Sequence, residues 1–156
     1  MSTQDWLSNR RGEWYVVAQA VVMTAALFAP ILDGRLGTGI ALAAGAALSI
    51  AGLAIVVIGS IRLGRNLSPF PKPRDDGGLV REGIFSLVRH PIYSGFIFLT
   101  LGWSLVWTSL AGLIGALILL ALFDIKARRE ERWLETKFAE YAEYRRRVKK
   151  LIPFVY

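Results

Sequence analysis

Apolar and charged residues are segregated along this chain. Trp14 to Leu32 carries no charge, Gly39 to Ile61 carries none, and a third uncharged run extends 33 residues from Pro91 to Phe123. A bilayer core about 30 Å thick takes roughly 20 apolar residues per helix. The first two runs therefore predict one span each, and the third, too long for one, predicts two. The expected spans are about 14–32, 39–61, 91–107 and 109–124. Asp33-Gly34-Arg35 with Gly37 and Gly39 supplies the first reversal. Trp107-Thr108-Ser109 supplies a very short last one, so the third and fourth spans form an antiparallel hairpin, with Trp103 and Trp107 suited to an interfacial aromatic belt. Ala and Gly crowd the second span from Ala41 to Gly59, and Gly112 and Gly115 mark the fourth, a pattern that lets membrane helices approach closely.

Between the second and third spans, Pro69, Pro71 and Pro73 forbid a helix and favour extended chain, followed by an Asp75-Asp76-Gly77-Gly78 turn. This segment reads either as a plain linker or as a strap over a site. Beyond the fourth span, Lys126 to Val148 has helical periodicity: Ala127, Glu130, Glu131, Leu134, Phe138, Tyr141, Arg145 and Val148 recur at steps of three and four. The predicted fold class is an all-α integral membrane protein, residues 1–156 forming one domain, with about four transmembrane helices and a cytoplasmic C-terminal amphipathic helix.

Composition agrees and narrows the chemistry. The chain is 54% hydrophobic, with a mean hydropathy of +0.43. The absence of cysteine and the single histidine exclude disulfides, thiolate nucleophiles and Cys or His-cluster metal sites. Arg10, Arg11, the Arg62–Arg89 loop and the Lys126–Lys150 tail share one side of a four-span arrangement, and only Arg35 falls on the other. The positive-inside rule then places both termini and both polar segments in the cytoplasm; a five-span arrangement would put the tail on the wrong side. The net charge of +7 flanks the spans, which points to lipid headgroups and not to nucleic acid. The first apolar run, 19 residues, exceeds the core of about 7–15 of a signal peptide and is expected to be retained.

Two places hold candidate chemistry. Pro91 suits the first position of the third span, which puts His90 at or near its N-cap, beside helix-start amides able to bind an anionic group. Tyr93 adds a hydroxyl in that first turn, and Gly95 permits close approach by a ligand or a helix. Taken alone, the spacing favours His90 as a simple cap and Tyr93 as an interfacial anchor over a binding site. In the charged helix, Glu130 and Glu131 lie on the apolar stripe, where a carboxylate needs a partner.

Arg89-His90-Pro91-Ile92-Tyr93-Ser94-Gly95, then Glu130-Glu131-x-x-Leu134-x-x-x-Phe138-x-x-Tyr141-x-x-Tyr144, then Ile152-Pro153-Phe154, together resemble the isoprenylcysteine carboxyl methyltransferase family, which is related to integral-membrane phospholipid methyltransferases. The resemblance covers roughly residues 63–154 and rests on two motifs in order across a span hairpin. It implies methyl transfer from S-adenosylmethionine to a lipophilic or prenylated acceptor, with a cofactor-binding region of about 64–95 and 126–150. It implies cofactor contacts at Gly78, Leu79, Val80, Phe85, His90, Pro91, Tyr93 and Glu130, with Asn66 a further candidate. Lys126 takes the place of a substrate-contacting basic residue, with Arg129 a nearby alternative; His90, Glu130 and Lys126 are the expected catalytic set. Phe85 stands where the family commonly has tyrosine, and Lys126 where eukaryotic members have arginine. Glu130 suits a cofactor ammonium or ribose hydroxyl, and the helix-start amides its carboxylate. An amine or thiol acceptor would instead call for a general base, for which His90 or Glu131 are candidates. The excess of Arg over Lys, with abundant Ala and Gly, points to a prokaryotic inner membrane. A phospholipid amine or small thiol methyltransferase is the alternative enzyme. A non-catalytic four-helix transporter protomer is disfavoured because it would be expected to place ionisable groups inside its spans.

Overall fold

A computed structural model describes residue 9, residues 11–153 and residues 155–156. Arg10, counted above among the basic flank, and Phe154, the end of the last motif, lie outside the described residues. Five helices account for the described architecture: α1 (Glu13–Asp33), α2 (Gly39–Leu63), α3 (Pro91–Val106), α4 (Leu110–Lys137) and α5 (Tyr141–Arg147). The three longest, α1, α2 and α4, are long and apolar enough to cross a membrane; α3 is apolar but shorter. At 1.5 Å per residue α3 covers about 24 Å.

The helices alternate in direction, so their ends sort into two groups. At one end Asp33, Arg35, Trp107 and Ser109 meet. Asp33 of α1 accepts from the Ser109 hydroxyl and from the Ala111 amide at 3.0 Å, while Ser109 Oγ accepts from Gly112 N at 2.8 Å. These carboxylate and hydroxyl contacts satisfy orphan donors at the start of α4, where negative charge also complements the helix dipole. Thr108 donates to Arg35 O at 2.8 Å, and Trp103 Nε1 to Leu27 O at 2.9 Å. The opposite end gathers Arg11, the segment 64–90 and the charged half of α4.

The small residues foreseen as a packing device join α2 to α3. A Cβ on Gly52 would lie 2.5 Å from Leu99 N and 2.6 Å from Gly95 O; one on Gly102 would lie 2.5 Å from Ser49 N. Gly95 serves this backbone approach: its own Cβ would meet Gly52 O at 2.7 Å. Gly52→Val is therefore expected to wedge α2 from α3 and destabilise the fold by about 1–3 kcal/mol. The check is thermal unfolding of the detergent-solubilised protein, where an unchanged midpoint would contradict the close packing.

The charged C-terminal helix differs from its expected bounds. The fourth span does not stop near residue 124 and restart at Lys126; α4 runs unbroken from Leu110 to Lys137. Nothing between Gly115 and Lys137 breaks a helix, and Asp124, the first charge, is matched in place by Lys150 Nζ at 2.7 Å, Tyr156 OH at 2.8 Å and Arg128 Nε at 2.7 Å. The continuous helix expected to Val148 breaks at Phe138, which is extended at φ −125°, and α5 folds back.

Segment 64–90 is a strap and not a free linker. It carries short 3-10 turns at Gly64–Asn66 and Gly83–Ser86. Lys137 at the end of α4 donates to the carbonyls of Arg74 and Asp75, and the Arg11 guanidinium lies 4.4 Å over the Phe70 ring. Arg74 hydrogen-bonds Asp76 at 3.1 Å and holds its carboxyl below the ordinary range.

Candidate active site

Two chambers open at the charged end of the bundle. The first, about 640 Å³ and open to solvent, lies beneath the strap and is lined by Asn66, Gly78, Leu79, Val80, Phe85, His90, Glu130, Leu134, Tyr141 and Tyr144. The second, about 960 Å³ and also open-sided, sits deeper between α1, α2, α3 and α4, with Gln19, Val56, Leu63, Phe85, Pro91, Tyr93, Phe96 and Lys126 on its walls. Arg89, His90 and Glu130 line both.

His90 is held there by charge and not by its capping position. It is the N-cap of α3, with Pro91 at the first helical position, yet its side chain makes no cap bond. Instead Nε2 lies 3.1 Å from Glu131 Oε1. A carboxylate accepts, so Nε2 carries the hydrogen, and in the neutral ring Nδ1 is the free nitrogen, 3.9 Å from Glu130 Oε2. Glu131, 2% exposed, also accepts from Arg89 Nε at 2.9 Å and Nη2 at 2.8 Å. Arg89 in turn donates to the carbonyls of Arg145 and Val148. The backbone completes the fixation: Arg89 N donates to Lys149 O at 2.8 Å and His90 N to Lys150 O at 3.1 Å, while Ser94 Oγ donates to Leu151 O at 2.6 Å. The C-terminal segment is thus laced along the motif. Glu131, expected from its place on the apolar stripe to need a partner and a candidate base for an amine or thiol acceptor, is a structural anion at the centre of a cationic cluster.

Glu130 faces the other way, into the chambers. Its Oε2 accepts from Tyr93 OH at 2.6 Å. Tyr93 is sandwiched in a near-parallel stack, 5.2 Å from the His90 ring and 4.7 Å from Phe123. One turn before Glu130, Lys126 is 1% exposed; its ammonium donates to Gln19 Oε1 of α1 and lies 5.2 Å from the Tyr93 ring centre. A buried ammonium facing an amide, a ring and one carboxylate is positioned to meet an anion entering the second chamber.

The first chamber tests whether S-adenosylmethionine fits. It combines a carboxylate (Glu130), a ring nitrogen (His90), aromatic and aliphatic walls, and the open backbone of Gly78, where a Cβ would meet nothing within 4 Å. The Tyr141 hydroxyl is buried without a hydrogen-bond partner among the described residues, and burial pushes its pKa upward, so it remains an O–H donor on the chamber wall. These features suit a ligand that joins a planar base, hydroxyls and charged ends. Asn66 has a shaping role: its Oδ1 accepts from Gly78 N at 3.0 Å. Phe85, lacking the hydroxyl common at its position, presents its carbonyl to Tyr144 OH at 2.5 Å.

The structure brings together Gly78, Leu79, Val80, Phe85, His90 and Glu130 at the first chamber, and Pro91, Tyr93 and Lys126 at the second. Arg129 joins neither; it is exposed on a neighbouring face of α4, its guanidinium 4.6 Å over Trp133. Sequence reasoning missed Gln19, Tyr141 as a site residue, and Arg89 as a clamp. A lone amide in an uncharged span was the available signal for Gln19.

Residues 40–141 match the phospholipid methyltransferase family. Protein-S-isoprenylcysteine O-methyltransferase B of Arabidopsis thaliana is 30% identical over 115 residues, covering 67% of this chain and 58% of that protein. The Saccharomyces cerevisiae protein-S-isoprenylcysteine O-methyltransferase is 37% identical over 86 residues, 54% of this chain and 36% of its own length. The cobalt-zinc-cadmium resistance protein CzcN of Cupriavidus metallidurans is 29% identical over 148 residues, 93% of this chain and 64% of that protein. The chain thus spans from about a third to under two thirds of the length of these relatives.

Proposed function

The chain belongs to the phospholipid methyltransferase family, and on that premise we propose that it is an integral-membrane methyltransferase that moves a methyl group from S-adenosylmethionine to the carboxylate of a lipophilic, isoprenylcysteine-like acceptor. The observation that carries this reading is the pair of chambers meeting at His90 and Glu130, one opening beneath the strap and the other ending on buried Lys126. The donor chamber and both termini face the cytoplasm of a prokaryotic cell, in keeping with the basic residues gathered at that end of the bundle.

When bound, S-adenosylmethionine supplies an electrophilic methyl on a sulfonium, which an ionised carboxylate takes by in-line displacement with no base required. The chain's own residues bind, orient and exclude water. Glu130 offers its carboxylate to a cofactor ammonium or hydroxyl, and Tyr93 holds that carboxylate in place. Gly78, Leu79 and Val80 leave backbone and an uncrowded wall for the cofactor. Lys126 pairs with the acceptor carboxylate, and its charge favours an anion over an ammonium headgroup. A cleft lined by Met23, Leu27, Leu99 and Trp103 shares Phe96 with the second chamber, and its apolar wall suits the acceptor's chain.

The test is transfer of radiolabelled methyl from S-adenosylmethionine by the protein in nanodiscs, offered either S-farnesyl-N-acetylcysteine or phosphatidylethanolamine. An ester releases methanol in base, whereas an N-methyl group does not. Base-labile label on the thioether acid supports the reading; base-stable label on the lipid amine overturns the carboxyl assignment, and no transfer to either rejects the activity. Lys126→Ala is expected to raise the acceptor KM about tenfold, the scale of one lost charge-assisted contact, while leaving S-adenosylhomocysteine affinity unchanged. Loss of that affinity would move Lys126 into the cofactor pocket.

A further inference from the structure

The outer face of α4 changes character in one helical turn. Leu110, Ile114, Leu117, Ile118 and Ile125 are each at least 50% exposed and form one stripe, as expected of a surface turned to lipid acyl chains. The same stripe continues into Arg128, Arg129 and Arg132, all exposed. At 1.5 Å per residue, Arg129 stands about 6 Å beyond Ile125, the last exposed apolar residue of the stripe. There α4 and the start of α1 enclose a separate crevice of about 550 Å³, open to solvent, formed by Asn9, Gly12, Tyr15, Ile125 and the three arginines. Arg128 is committed to Asp124 at 2.7 Å. Neither Arg129 nor Arg132 has a carboxylate partner among the described residues; Arg129 rests on the Trp133 ring, 4.6 Å from its centroid. Two guanidiniums without a carboxylate partner among the described residues, beside Ile125 and Tyr15, match a phosphodiester whose acyl chains descend along the helix.

We propose that this crevice is a binding site for the headgroup of an anionic phospholipid, distinct from both chambers of the active site. The lipid occupies it through its phosphate, between Arg129 and Arg132, with its chains against Ile125 and Ile118. The assignment is independent of the methyltransferase reading, because it draws on no residue of either chamber.

The experiment reconstitutes the protein in nanodiscs of phosphatidylcholine and phosphatidylglycerol in equal parts, then releases it into mild detergent and weighs retained lipid by native mass spectrometry. Wild type is expected to retain phosphatidylglycerol preferentially. Arg129→Gln/Arg132→Gln is expected to lose that preference by about fivefold per arginine. Arg146→Gln/Lys149→Gln removes the same charge from exposed positions elsewhere and is expected to keep it. Far-UV circular dichroism and a monodisperse elution profile establish that both variants fold. Equal loss in the two double variants would reduce the effect to net charge and overturn the site, as would unchanged retention in the first. Displacement of phosphatidylglycerol by an equal concentration of inorganic phosphate would show a free-anion site and overturn the lipid assignment.

Discussion

Glu130→Gln is expected to weaken S-adenosylhomocysteine binding by roughly ten- to hundredfold, read by titration calorimetry on the detergent-purified protein. The magnitude follows from losing a charged hydrogen-bond partner, about 1.5–3 kcal/mol, at about 1.4 kcal/mol per decade of Kd. The substitution is close to isosteric, and the Tyr93 hydroxyl, 2.6 Å away, can still donate to the glutamine carbonyl. The fold and the His90–Tyr93–Phe123 ring stack are therefore retained, and the loss reports charge. Tyr93→Phe supplies the complement: it keeps the carboxylate, removes its tether and is expected to lower affinity less. If Glu130→Gln bound as tightly as wild type, the carboxylate would have no part in holding the cofactor.

Glu131→Ala is expected to destabilise the protein by about 3–5 kcal/mol, the usual result of leaving a buried charge uncompensated. Arg89 and His90 side chains are 7% and 5% exposed, and both direct nitrogens at the same Glu131 oxygen. Removing that oxygen strands a guanidinium in the interior. It also frees the imidazole to turn and loosens the chain that leads into α3. Glu135→Ala is the control: its carboxylate pairs with the half-exposed Arg145 at the surface, where such pairs contribute about 0–1 kcal/mol. Thermal unfolding followed by circular dichroism separates the two. A Glu131→Ala midpoint matching that of Glu135→Ala would mean that the buried cluster is not what fixes the motif.

The contrast between adjacent glutamates marks the limit of sequence reasoning here. Periodicity put both on a buried stripe and the motif order brought them near His90, because helical spacing and chain direction suffice for that. Which glutamate faces the chambers is decided by Arg89, whose side chain reaches Glu131 across 42 positions of sequence. No local pattern encodes that pairing. The same holds for Lys126, the expected substrate-contacting cation, and Arg129, its alternative three residues on. Only the packing of Gln19 from α1 against one of them separates the inward ammonium from the outward guanidinium. The spans were legible because exclusion of charge from a bilayer is a strong, local rule. The end of the fourth span was not, since a helix carries its hydrogen bonding straight through a change of solvent. The break at Phe138 lacks a Gly or Pro signal. It follows from the fold-back of α5, which buries Tyr141 and Tyr144 against the strap side of the site.

The unbroken passage of α4 from span to glutamates also makes height above the bilayer a property of covalent structure. Lys126 stands about 24 Å along the helix from Leu110, and Glu130 about 6 Å further. With no hinge between them, Lys126 and Glu130 keep a constant elevation and a constant bearing; one inserted residue would swing them by about 100°. An amphiphile whose polar end rides at that elevation reaches Lys126 by sliding sideways within its own leaflet. On the proposed reading, encounter with such an acceptor is a search in two dimensions, and only the methyl donor has to arrive from bulk water.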